Sequence, residues 1–250
     1  MEELRKAYHG ELEQARSELA RLAALVVELL PRATSVLLDG DLEGAEYIIK
    51  GDAAFDQRCV DLEEQCLRIL ALQAPVATEL RQVVALMKMI AEVERSADLI
   101  CNICKAARRI YGHELDPKLR GIINRMSEQA QQLYTATIEA FVENDDAMAA
   151  ALDDMDAYLD ALQKQFIQAI FESQAAGRID LQVAVQLAVV ARFYERIGDH
   201  AVNIAERVRF VITGWVPDHK KAPRPKIELD DSELGNGTAA DDTAPASGGS

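Results

Sequence analysis

The stretch Glu94-Arg95-Ser96-Ala97-Asp98-Leu99-Ile100-Cys101-Asn102 returns as Glu195-Arg196-Ile197-Gly198-Asp199-His200-Ala201-Val202-Asn203, so E-R-x-x-D-x-x-x-N occurs twice in one chain. On a helix, residues i, i+4 and i+8 share a face, so each copy sets two carboxylates and an amide in one row: Glu94, Asp98 and Asn102, then Glu195, Asp199 and Asn203. A row of hard oxygen donors can hold a cation or dock a basic partner.

Each motif has a mirrored acid pair upstream. Asp52 and Asp56 precede the first, Asp156 and Asp160 the second. Asp56 and Glu94 are equidistant from Pro75, and so are Asp52 and Asp98; the second set folds in the same way about the Gly177-Arg178 junction. An antiparallel helix pair turning at those points brings each set to a common level. The expectation is two four-carboxylate clusters, Asp52/Asp56/Glu94/Asp98 and Asp156/Asp160/Glu195/Asp199. Clustered carboxylates repel and raise one another's pKa unless a cation or arginine neutralises them. Arg95 and Arg196 could serve as plain surface counter-charges. A metal on such all-oxygen donors would be a hard ion such as iron, magnesium, manganese or calcium rather than copper or zinc.

Other reactive side chains fit less well. His200 directly follows Asp199, about 100° around the helix from the acid row, and takes a surface or packing role. Cys59 and Cys66 lie much nearer the Pro75 turn than Cys101 and Cys104, which disfavours a single four-thiolate site, and buried, reduced thiols are expected.

The elements that must position these residues are helices. Apolar residues make up 49% of the chain and aromatics only 5%, and Ala, Leu, Glu, Gln and Arg are abundant, which favours packed helices over sheets. Periodicity and stop signals predict helices from about Glu11 to Leu38, with a kink at Pro31, then to Leu72, Thr78–Ile110, Lys118–Val142, Asp145–Gln174 and Ile179–Thr213. The fold class is all-α: six long helices in two tandem three-helix bundles, produced by internal duplication. The first repeat covers 1–110, a connector 111–117 and the second repeat 118–216, with Trp215 stapling the last helix end. A disordered acidic tail follows over 217–250. Asp41 aligns with Asp145 at an offset of 104 but the motifs at 101, a difference assigned to a shorter inter-helix turn in the second repeat.

A formal charge of −15 disfavours nucleic-acid backbones and anionic lipid. No apolar run is long enough to span a membrane, and the N-terminal residues do not form a secretory signal, so a cytoplasmic protein is expected.

The run Phe193 to Glu206, together with Ala74-Pro75-Val76-Ala77-Thr78-Glu79-Leu80-Arg81, resembles the PhoU family of phosphate-regulon regulators, over roughly residues 8 to 216. The first motif departs mildly, with Ser96-Ala97 in place of the frequent Ile-Gly. The resemblance implies a non-enzymatic homodimer with no organic cofactor. It implies an adaptor between the phosphate ABC transporter ATPase and a sensor histidine kinase that represses the starvation response in high phosphate. It also implies metal, including iron, on the eight acids named above. A carboxylate-bridged metalloenzyme, phosphohydrolase or di-iron in type, is the alternative. Neither motif has the Glu-x-x-His of a ferritin-like site, and no catalytic triad or phosphate loop is present.

Overall fold

The computed structural model describes residues 2–214, with side-chain surroundings from residue 8 onward. Trp215 and the expected acidic tail lie outside the described residues. Six α-helices follow one another without a strand among the described residues: α1 Glu2–Asp39, α2 Leu42–Gln73, α3 Thr78–Arg109, α4 Pro117–Glu143, α5 Asp146–Ala175 and α6 Leu181–Thr213. Helices α1, α2 and α3 pack mutually, as do α4, α5 and α6, giving the two expected bundles.

Local chemistry sets the helix ends. Asp41, Asp116, Asp145 and Asp180 cap the N-termini of α2, α4, α5 and α6, each accepting a backbone N–H of the first turn at 2.9 Å. Gly214 and Asn144 close α6 and α4 in the left-handed conformation. Helix α1 starts well before Glu11, because Tyr8 and Leu12 continue its apolar seam and are 3% and 6% exposed. Pro31 lies inside that continuous helix.

The offset between repeats has a different origin from the one expected. The turn in the second unit, residues 176–180, is longer than the first unit's 74–77, not shorter. The missing residues come from the helix ends: α5 stops two residues early relative to α2, and α6 starts two residues closer to its motif. The hairpin of the first unit therefore protrudes further, carrying Leu72 and Val76 at 77% and 72% exposure.

The two units join through α1 against α4 and α3 against α6, both antiparallel, so that an approximate two-fold axis runs between them. Reciprocal contacts make the symmetry visible. Arg16 of α1 donates to Phe141 O at 3.1 Å and Asn144 Oδ1 at 3.2 Å, while its counterpart Arg120 of α4 donates to Leu38 O and, at 3.1 Å, to Asp39 Oδ1. Each arginine caps the C-terminus of the opposite helix, where carbonyls lack intrahelical partners. At the far ends, His9 faces Glu79 and His113 faces Asp180, both at 3.4 Å. These histidines belong to matching segments, Tyr8-His9-Gly10-Glu11-Leu12 and Tyr111-Gly112-His113-Glu114-Leu115, so the duplication extends into the connector.

Candidate functional site

The first acid cluster forms where α2 and α3 lie side by side. Carboxylate oxygens of Asp52, Asp56 and Asp98 lie within 4.8 Å of one another, half-buried, half-buried and exposed respectively. Glu94 stands one turn further along. Burial first, then the charges of Asp56, Glu63 and Asp98, raises its pKa above the ordinary carboxylate value. Asp56 is raised in the same sense by burial and then by Asp52 and Asp98. Glu63, two turns beyond Asp56 on the same face, is an acid that the mirror argument missed.

Cys101 ties this cluster to the core. Its thiol donates to Asp52 Oδ1 at 3.1 Å, a contact with no counterpart in the second unit, where Val202 stands. All four cysteines are free and buried. Burial pushes the thiols of Cys59 and Cys104 up to about 12 and that of Cys66 up to about 11, which leaves them protonated and poor nucleophiles at neutral pH.

The corresponding acids of the second unit sit deeper. Asp156 is fully buried, and Asp160, Glu195 and Asp199 are half-buried. Among the described residues, no other set of three Asp, Glu, His or Cys ligand atoms comes as close together as the first trio. The difference follows from one methyl group. A Cβ on Gly198 would fall 2.5 Å from Asp156 Oδ1 and 2.7 Å from Leu159 Cδ2, so α5 and α6 approach over a bare glycine. The first unit has Ala97 at that position, and Asp52 is only half-buried. The exchange of Ile-Gly for Ser-Ala is therefore not mild: it sets the depth of the acid.

The motif arginines and asparagines do not serve the acid rows symmetrically. Arg95 lies 3.5 Å from Glu92 on the preceding turn, and Glu195 is met by Arg192, while Arg196 is exposed. Glu92 is the other residue the motif search missed. Two positions before Glu94, it points to the opposite side of α3 and reaches α6, where His200 Nδ1 lies at 2.6 Å and Asn203 Nδ2 donates at 3.1 Å. Burial pushes the Glu92 pKa up, but the hydrogen bonds from His200 and Asn203, with the charges of His200 and Arg95, outweigh it and hold the carboxyl below its ordinary value. His200, buried and bonded across the interface, fills the packing role expected of it. Asn102 instead accepts from Lys105 at 3.4 Å on its own helix.

The donor set of Asp52, Asp56 and Asp98 fits a hard cation. It offers only oxygen ligands, at a spacing that one ion can bridge, with a solvent-facing side open to water ligands, and two neighbouring carboxyls carry raised pKa values that a positive charge would reverse. Asp52, Asp56 and Asp98 would be the direct ligands, with Glu94 alongside.

Comparison with known proteins matches this architecture twice over. The PhoU domain profile covers residues 19–107 and 123–208. The "Phosphate-specific transport system accessory protein PhoU homolog 1" of Mycobacterium tuberculosis is 32% identical over 215 residues, spanning 86% of this chain and 96% of that protein. The homolog 1 protein of Methanothermobacter thermautotrophicus is 29% identical, over 82% of this chain and 94% of its own length. Among solved structures, PhoU from Pseudomonas aeruginosa superimposes with a TM-score of 0.78 at 26% identity, covering 83% of this chain and all of that one. The phosphate transport system regulatory protein PhoU from Streptococcus pneumoniae gives 0.77 at 25% identity, covering 84% and 99%. With both repeats matched and the six-helix architecture shared, the chain belongs to the PhoU family.

Proposed function

We propose that this protein is an accessory regulator of phosphate-specific transport. It acts as a cytoplasmic, non-enzymatic adaptor between the transporter ATPase and a sensor histidine kinase, and represses the starvation response when phosphate is plentiful. The match to PhoU accessory proteins across both repeats carries the reading. The site chemistry supports it in a second way. Asp52, Asp56 and Asp98 present a concentrated negative surface, while the thiols are buried and held protonated, so the arrangement suits docking rather than nucleophilic catalysis. No helix among the described residues is long and apolar enough to cross a membrane, which agrees with a protein that reaches its membrane partners by contact.

A hard cation, iron, magnesium or manganese, held by the first trio would lower the repulsion there and fix the surface that partners read. The second set, Asp156, Asp160, Glu195 and Asp199, would act from a deeper position. The homodimer expected of the family would double these surfaces.

The experiment is gene deletion followed by a phosphate-starvation reporter in high phosphate, with complementation by the parent and by an Asp52→Asn/Asp56→Asn/Asp98→Asn variant. Derepression in the deletion strain, rescued by the parent, is expected. An unchanged reporter, with no transporter ATPase or kinase captured by the tagged chain, would refute the adaptor role.

A further inference from the structure

The groove between α1, α2 and α3 holds a cavity of about 390 Å³ that the acid trio does not explain. Leu25, Leu29, Ile48 and Phe55 form its walls, and Tyr47, 71% exposed, stands at the rim. Ala97 and Cys101 of α3 and Asp52 of α2 complete the lining. A mostly apolar cleft of this size with a few charged groups on its lining has the makings of a small-molecule site.

The charges define the ligand. Two basic residues border the cavity, and both already face carboxylates: Lys50 meets Glu46 at 2.6 Å, and Arg58 meets Glu18 at 2.6 and 3.1 Å. Asp52 accepts the weakly polar Cys101 thiol and lies beside two more carboxylates, Asp56 and Asp98. The Asp52 side of the cavity is therefore negative. An aliphatic acid or phosphate would be repelled, and a neutral chain would leave Asp52 without a counter-charge.

The second unit serves as an internal control. Gln129, Ala151, Gly198 and Val202 stand there in place of Leu25, Tyr47, Ala97 and Cys101. Gln129 donates across the α4–α5 groove to Met155 O at 2.8 Å, and the bare Gly198 lets Asp156 sink to full burial. In the first unit Ala97 stands at the glycine position, Asp52 is half-buried, and Leu25 keeps the wall apolar. The cavity thus comes from replacements at particular positions, not from the shared fold.

We propose that this cavity binds an aliphatic primary amine, with the ammonium on Asp52 and the chain between Leu25, Leu29 and Phe55. The site goes beyond the phosphate-transport reading and does not rest on it; it shares Asp52 with the cation proposed above, so amine and metal would compete there.

Calorimetric titration of the chelator-treated full chain with octylammonium, octanol and octanoate tests the proposal. Octylammonium should bind saturably and about tenfold or more tighter than octanol, the increment expected of a hydrogen bond to a charged group. Octanoate should bind more weakly than octanol. Asp52→Asn should level the three, and Leu25→Gln should weaken octylammonium and octanol alike. Absence of saturable octylammonium binding, equal affinity for all three, or an order that survives Asp52→Asn would each overturn the proposal. Octylammonium binding that Leu25→Gln leaves unaffected would place the amine on the acid trio outside the cavity and overturn it equally. None of these failures bears on the deletion phenotype.

Discussion

Gly198→Ala isolates the contact that makes the two units differ. In an open helical position, Gly to Ala stabilises by about 1 kcal/mol. Here the new methyl would stand 2.5 Å from Asp156 Oδ1 and 2.7 Å from Leu159 Cδ2, both far inside van der Waals contact. Asp156 is fully buried and cannot swing into water, so α5 and α6 must separate. Overpacking of this kind costs about 1–3 kcal/mol, and a carboxylate pressed from a rigid pocket belongs at the upper end. The net loss is therefore about 2 kcal/mol, or a fall of about 4–8 °C in Tm for a protein of this size. Gly121→Ala is the matched control: Gly121 lies in α4 with nothing within 4 Å of its built Cβ, so Tm should rise by about 2–4 °C. Scanning calorimetry of the three proteins decides the matter. If Gly198→Ala is stabilised as Gly121→Ala is, the close approach of Asp156 to α6 does not exist and the account of the unequal acid depths fails.

The remaining predictions concern charge. Because Glu92 is held below the ordinary carboxylate pKa in the fold, its contribution is fully present above its unfolded value and is lost as pH falls through its folded one. His200→Ala removes a partner of that half-buried carboxylate, should cost about 2 kcal/mol at neutral pH, and should shrink this acid-side loss, read from Tm against pH. Asp56, raised above its ordinary value, works in the opposite sense: its ionisation disfavours the fold as pH rises through its unfolded and then its folded value. Asp56→Asn in chelated protein should raise Tm by about 1–3 °C at neutral pH and abolish any further rise on adding manganese. An unaltered manganese response would remove Asp56 from the ligand set.

The sequence carried the first cluster further than the second, although the same mirror argument was applied to both. Equidistance from Pro75 brings Asp52, Asp56 and Asp98 together because helix rise is uniform and the hairpin is tight. Equidistance from residue 177 sets the levels of the second four but says nothing of how closely two helices approach, and there one absent methyl sends Asp156 into the core. Glu92 escaped notice because a search along one helix face cannot see the face behind it. Its partners lie on α6, over a hundred residues away. The repeat offset was misassigned to a turn because turns are the usual sites of length change, whereas here the helices themselves were trimmed.

The antiparallel seating of α3 on α6 gives the molecule the outline of a two-fold dimer written as one polypeptide. In a true dimer every substitution appears twice, so the two ends stay identical whatever selection asks of either. Within a single chain each end is inherited separately, and the Glu92–His200 bond, whose mirror positions are Phe193 and Leu99, shows that the halves have already parted. Such a body has a head and a tail. Its two poles can present different surfaces, and that lets a symmetric-looking fold carry a direction.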